Sequence, residues 1–424
     1  MPVRLSVLLG LVLLGSPAWA SGFLLSDHDA AGTARGFART AGVDDAAALY
    51  WNPAAQSWLE DSEIRLGGHL LWTQGTYDAE PGQGFDDRMH DGLFALPSLF
   101  AAFDLSEHVD VGLAVFNPFA LATHWNRNWS GRYQAIDSEV NFLFFQPTVS
   151  LKIPVIDVAL SAGLQLNANV GRPNPVRLTN ALDFRFLGQP DGYAEVVGHS
   201  ESLNVGYVVS LSWRPTYLDE RIVVGVTWRA TPDDHEIEGK AKFQAPPAAN
   251  LPSRAGAETE VTLPPYLTVG VQFELFEDLF WVELGYRWTG WSTLDRLVIQ
   301  FDDPRVPTSI TEFDYHDVNQ YMLGLELHPI EGLALRAGYQ FDETPTSSTR
   351  LSPRLPDADR HGLSFGFGVD VGPVTVDVAY MHLFIDTARK RNFEGFVSPG
   401  GNASANGDYD SAVDIFGASL SVRF

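Results

Sequence analysis

Gly362-Leu363-Ser364-Phe365-Gly366 has the spacing of a serine nucleophile elbow, in which a sharp turn lifts the hydroxyl towards a histidine base. That chemistry needs a strand running into a helix at the serine. Here the flanking residues continue an alternating strand, with the small residues Gly362, Ser364 and Gly366 sharing one face. A hydrolase would also need a histidine and an acid gathered beside the serine, and the 11 histidines are scattered along the chain. They form no H-E-x-x-H spacing, and the absence of cysteine removes thiolate metal sites and disulfides. No catalytic residue, metal or cofactor is expected.

The elements that carry these residues are strands. From about residue 62 onward apolar and polar side chains alternate with period two, which puts one set on each face of a β-strand. Phe280, Val282, Leu284, Tyr286 and Trp288 fall on one face, and Trp281, Glu283, Gly285, Arg287 and Thr289 on the other. The same pattern predicts strands near 62–77, 93–104, 109–118, 138–153, 156–171, 196–213, 220–231, 259–275, 279–292, 314–328, 332–341, 360–371, 373–385 and 411–424. Some links are a few turn residues, such as Gly372-Pro373, while others are long and polar. Short turns alternating with long loops are what a membrane barrel with two different rims shows.

A soluble sandwich or propeller would also alternate, but with a richly charged exposed face. Here the polar face reads as thinly charged and glycine-rich, and Trp281, Trp288 and Trp291 stand at strand ends like an interfacial girdle. The expected fold is an all-β transmembrane barrel of fourteen antiparallel strands spanning 62–424, in the bacterial outer membrane. A formal charge of -25 excludes nucleic acid as a partner. Phe416, Ala418, Leu420, Val422 and Phe424 share a face, and such a terminal aromatic resembles the signal read by barrel-assembly machinery.

Two stretches before residue 62 are not wall. Residues 1–20, with Arg4, the apolar run Leu5–Gly15 and Ala18-Trp19-Ala20, predict a signal peptide. Residues 21–61 lack strand alternation and read as short helices. Ser26 and Asp29 suggest a cap, Gly42 a helix end, Asp44 or Asp45 a second start, and Asn52-Pro53 a stop that caps a third. Helices so short and small cannot bury enough surface alone, so they are expected to fill the lumen as a helical plug, or hatch.

Ser21-Gly22-Phe23, the run Asp44-Asp45-Ala46-Ala47-Ala48-Leu49-Tyr50-Trp51-Asn52-Pro53-Ala54, Asn117-Pro118-Phe119-Ala120-Leu121-Ala122-Thr123 and Trp129-Ser130-Gly131-Arg132-Tyr133 together resemble the FadL family of outer-membrane transporters of hydrophobic compounds. The resemblance implies passive uptake of long-chain fatty acids or aromatic hydrocarbons, hatch movement, and sideways exit through a wall gap at a kinked third strand. It places Phe23 beside the ligand pocket and Asn52, Pro53 and Ala54 at the moving turn. Phe116, Asn117, Pro118 and Phe119 belong to the kink region, where Pro118 marks either an interruption of pairing or a simple strand end.

Trp125 and Trp129 are candidates for an apolar approach groove or for the girdle. Arg172, Arg177, Lys240 and Lys242 are candidates for a fatty carboxylate, or are solvated loop charges. The implied partners are a hydrophobic small molecule, outer-membrane lipid and lipopolysaccharide, with the barrel acting as a monomer. A general diffusion porin is the alternative, and the small-residue N-terminal block argues against it.

Overall fold

The computed structural model describes residues 22–82, 84–167, 176–200, 203–230, 235–391, 397–398, 401–402 and 405–424. The expected signal peptide, Ser21 and Arg172 lie outside them. The wall consists of β1 Glu63–Ala79, β2 Gly92–Ser106, β3 Val109–His124, β4 Asp137–Ile153, β5 Val158–Asn167, β6 Asn204–Trp213, β7 Ile222–Ala230, β8 Tyr266–Phe276, β9 Phe280–Thr289, β10 Val318–Ile330, β11 Leu333–Asp342, β12 Arg360–Val371, β13 Val374–Ile385 and β14 Gly407–Arg423. Each pairs antiparallel with its sequence neighbours, and β14 closes on β1 from Glu63–Arg423 to Ala79–Gly407. The fourteen strands predicted from alternation are the fourteen strands of a closed barrel.

Period two sorts the side chains as expected. Leu363, Phe365 and Phe367 of β12 point outward and are exposed, whereas Ser364 between them is buried. Leu66, Leu70, Leu113, Leu151, Leu160, Leu284, Val376, Phe416 and Leu420 extend the same exposed apolar belt around the barrel. A continuous apolar exterior on a closed sheet fits lipid and not water. Among the described residues no helix is long and apolar enough to cross a membrane.

The long-loop rim is more ordered than alternation suggested. Val176–Leu182, Gly192–His199, His235–Gln244 and Arg254–Val261 form two hairpins paired to each other, with Arg296–Phe301 joining the last. The strands expected at 196–213 and 259–275 each divide: their first parts belong to these hairpins and their second parts to the wall. Side chains of both hairpins alternate as wall strands do, so period two alone could not separate them.

The third strand does not stop at Pro118. It continues to His124 through a bulge, in which Asn117 and Pro118 oppose the single residue Leu143 between the pairs Phe116–Phe144 and Phe119–Phe142. On its other side, the β2–β3 ladder ends at Leu99–Val115. Residues 92–98 of β2 still pair with β1, so β2 and β3 part company above that point.

The N-terminal segment differs in detail from its predicted helices. Helix α1 is Ala30–Ala34, capped by Asp29, whose carboxylate accepts the Gly32 amide at 2.9 Å. It ends at Arg35, well before Gly42, because Gly36 and Phe37 both take positive φ. Helix α2 is Ala48–Trp51, and a 3₁₀ turn covers Pro53–Trp58 with Pro53 at its first position.

Candidate functional site

Residues 22–57 of the N-terminal segment are almost wholly buried, and what they touch is the inward face of the wall. Two wall glycines make that approach possible. A Cβ on Gly338 would lie 2.1 Å from the Arg35 carbonyl carbon and the Gly36 amide, and one on Gly225 would lie 2.1 Å from the Thr40 carbonyl oxygen. Glycine here is room for another backbone.

The lumen is more charged than the sequence reading allowed. Arg65 of β1 meets Asp29 at 2.6 Å, Asp377 of β13 at 2.7 Å and Asp45 at 3.1 Å. Arg39 meets Asp29, Asp45 and Asp44, and Arg35 meets Glu283 of β9 at 2.9 Å. Arg336 of β11 bridges Glu326 and Asp377, both at 2.6 Å. Burial by itself would raise the Asp29 carboxyl, but Arg39 and Arg65 outweigh it and hold the group well below the usual carboxylate range. Five wall strands contribute one charge each, Arg65, Glu283, Glu326, Arg336 and Asp377, which is why no single strand looked charged.

Asn52, Pro53 and Ala54 sit near the short-turn rim, fastened to β4 and β6. The Asn52 amide nitrogen donates to the carbonyls of Thr40 at 3.1 Å and Leu211 at 3.0 Å, and caps no helix. Ser150 donates to the Pro53 carbonyl, and the Ala54 amide donates to Ser210. Above the turn, Arg229 of β7 donates to the carbonyls of Leu49 and Tyr50, while the Tyr50 hydroxyl reaches the Leu25 carbonyl at 3.2 Å. The turn and the start of the segment are therefore linked through Tyr50.

Phe23 packs edge-on against Phe119 and Trp291, at ring-centroid distances of 5.9 and 4.9 Å. It lines an apolar cavity of about 90 Å³ bounded by Leu121 of β3, Val140 of β4, Leu178 and Ile237 of the two hairpins, and Leu294. Phe116 lies below, against His28, Tyr50 and Phe144. Asn117 donates to the Asn141 side chain at 2.6 Å, across the bulge.

Of the residues singled out from sequence, Phe23, Phe116, Pro118 and Phe119 thus come together around the start of the N-terminal segment, whereas Asn52, Pro53 and Ala54 are held apart from the cavity. Trp125 and Trp129 are buried and stacked on each other at 4.2 Å, against Tyr77 and Tyr409, and are not among the described residues lining the cavity. Trp291 is a buried neighbour of Phe23 and no part of a girdle. Arg177 and Lys242 reach Glu195 on the face of their hairpins opposite the cavity-lining Val176, Leu178 and Ile237, and Lys240 shares that outer face.

The hairpin walls, Leu294 and Arg354 were missed, since they come from loops whose pairing the sequence does not announce. Ser364 donates to the Ala34 carbonyl and accepts the Gly36 amide, both at 3.0 Å. It is a tie between wall and N-terminal segment. No group of histidine, aspartate and glutamate fit to hold a metal occurs among the described residues.

Comparison with known proteins matches residues 11–424 to the family described as outer membrane protein transport protein (OMPP1/FadL/TodX). The long-chain fatty acid transport protein of Salmonella typhi is 22% identical over 87% of this chain and 89% of its own. Outer membrane protein P1 of Haemophilus influenzae is 22% identical over 98% and 97%. Among solved structures, a Pseudomonas aeruginosa FadL homologue superposes with a TM-score of 0.81 at 18% identity, covering 95% of this chain and all (100%) of that one. The Pseudomonas putida toluene transporter TodX gives 0.70 at 15%, covering 94% and 99%. At such identities the superpositions establish the fold.

Proposed function

The chain belongs to the OMPP1/FadL/TodX family of outer membrane transport proteins, and from that premise we propose that it takes up long-chain fatty acids or similar hydrophobic molecules by passive transport across the outer membrane. The observation that supports this most directly is the apolar cavity that has Phe23 of the N-terminal segment in its wall. A ligand entering from the long-loop rim reaches the cavity, displaces Phe23, and so loosens the N-terminal segment, which serves as the plug. The Tyr50 link passes that movement to the turn at Asn52, Pro53 and Ala54. Exit is sideways, between the upper parts of β2 and β3, where the ladder is missing.

The route has a physical rationale. A hydrophobic molecule crosses lipid readily but is stopped by the hydrated polysaccharide outside it, so only that layer must be bridged. Leaving into lipid spares the ligand a passage through periplasmic water, which costs roughly 0.8 kcal/mol per exposed methylene. The reading is tested by oleate and toluene uptake in cells with the intact chain, with a chain lacking residues 23–54, and with neither. Faster entry of at least one ligand with the intact chain is expected. Equal rates in all three for both ligands would overturn it.

A further inference from the structure

Phe23 lines the apolar cavity, and its neighbour Leu24 lines a second one of about 10 Å³. The second cavity is polar. Ser26 and Asp27 of the N-terminal segment meet Arg287 of β9, Gln320 of β10 and Arg360 of β12 around it. Asp27, Gln320 and Arg360 are no more than 5% exposed, and each carries polar atoms without a partner among the described residues. Asp27 Oδ1 and Gln320 Oε1 are acceptors that receive no donor, and Arg360 Nε and Nη1 are donors that reach no acceptor. The remaining nitrogens of two of these groups are committed elsewhere, since Arg360 Nη2 donates to Asp357 and Gln320 Nε2 donates to the Gln340 side chain. Buried polar atoms left unpaired are costly, and native folds keep few of them.

The four atoms select their ligand. A bare cation would stand against the Arg360 guanidinium, and an anion would stand against the oxygens of Asp27 and Gln320. A water molecule accepts two hydrogen bonds and donates two, which matches two free nitrogens and two free oxygens. The volume agrees, because one water needs about 10–15 Å³ and two to four polar partners.

We propose that this cavity is a water site, in which one ordered water accepts from Arg360 Nε and Nη1 and donates to Asp27 Oδ1 and Gln320 Oε1. The water is a strut between Asp27 and two strands of the wall. Asp29, only two residues further on, is held instead by direct ion pairs with Arg39 and Arg65. The segment is therefore seated through solvent at Asp27 and through charge at Asp29. A water-mediated contact is made good by other water when it parts, whereas a buried ion pair is not, so the Asp27 end detaches at the lower cost. The inference does not depend on what the chain transports.

The test is X-ray radiolytic footprinting of the purified full chain in nonionic detergent and heavy-oxygen water. Radicals formed from an ordered water oxidise the side chains around it, including those that bulk solvent does not reach. Leu24, Phe37 and Leu383 line the cavity and are each 3% exposed, and they are expected to label several-fold faster than Leu49 and Phe100, which are fully buried away from it. Gln320→Leu removes one acceptor and should slow that labelling several-fold, while Gln320→Glu keeps an acceptor and should retain it, both variants being confirmed folded by circular dichroism. Labelling of Leu24, Phe37 and Leu383 no faster than that of Leu49 and Phe100 would overturn the inference, as would unchanged labelling in folded Gln320→Leu.

Discussion

The amide of Leu25 donates to the carbonyl of Pro118 across 2.8 Å. Together with the Ala120 amide on the Phe23 carbonyl at 2.9 Å, this forms an antiparallel Leu24–Phe119 β-bridge that fastens the start of the N-terminal segment to β3. It pairs just above the point where β2 leaves. Pro118 has no amide to offer, and the bond uses its carbonyl. The proline of the β3 bulge is thus held by the element expected to move.

Phe23→Ala should loosen that bridge. Truncating a buried phenylalanine typically costs about 3–5 kcal/mol, and here the loss falls on contacts with Phe119 and Trp291. Hydrogen exchange at the Leu24 and Leu25 amides should accelerate while the β1–β14 ladder stays protected. Unchanged exchange would mean that the bridge does not depend on the ring.

Gly338→Val should unseat the N-terminal segment without opening the wall, because the new side chain would occupy the space of the Arg35–Gly36 peptide. Single-channel conductance in planar bilayers should rise relative to wild type. Gly68→Ala is the control, since the nearest atom to its added Cβ, a Leu96 carbonyl oxygen, is 3.8 Å away.

Asp29→Asn leaves Arg39 and Arg65 buried with fewer acids. Breaking a buried pair by removing one partner costs about 3–5 kcal/mol. A lower melting temperature in detergent is expected. Asp44→Asn should have little effect, because the Asp44 side chain is 63% exposed and its pair with Arg39 is screened by water.

Asp27 sets a pH dependence. Its carboxyl is buried, Oδ1 has no partner, and burial pushes its pKa up to about 7 from an ordinary value near 3.8. The folded state therefore holds this proton more tightly than the unfolded one, so the contribution to stability is complete below about pH 4 and declines as pH rises towards 7. Protease release of the N-terminal segment should increase from pH 5 to pH 8 in wild type, and the increase should flatten in Asp27→Asn. An identical pH profile in the variant would assign the effect elsewhere.

Strand identity was legible because lipid enforces a strict period: Leu363 and Phe365 must face out, and Ser364 between them must not. The buried nature of residues 22–57 was legible because small residues that form no strand need a container. The cavity wall, by contrast, is built from Leu178, Ile237, Leu294 and Arg354, which meet through contacts between distant parts of the chain that leave no local pattern. The lumen charges were misjudged for the same reason, since Arg65, Glu283, Glu326, Arg336 and Asp377 are isolated letters until the barrel brings them together. Pro118 was legible as a break but not as a bulge, because the proline says which amide is absent and not what replaces it.

The ladder from Glu63–Arg423 to Ala79–Gly407 joins the first and last strands of the wall. Its consequence concerns biogenesis. The cylinder closes only when its final strand pairs with β1, so ion pairs that span this seam form only as the wall is sealed. Arg65 of β1 then meets both Asp29 of the N-terminal segment and, across the last seam, Asp377 of β13. Sealing the wall and neutralising the Arg65 charge inside it are thereby coupled.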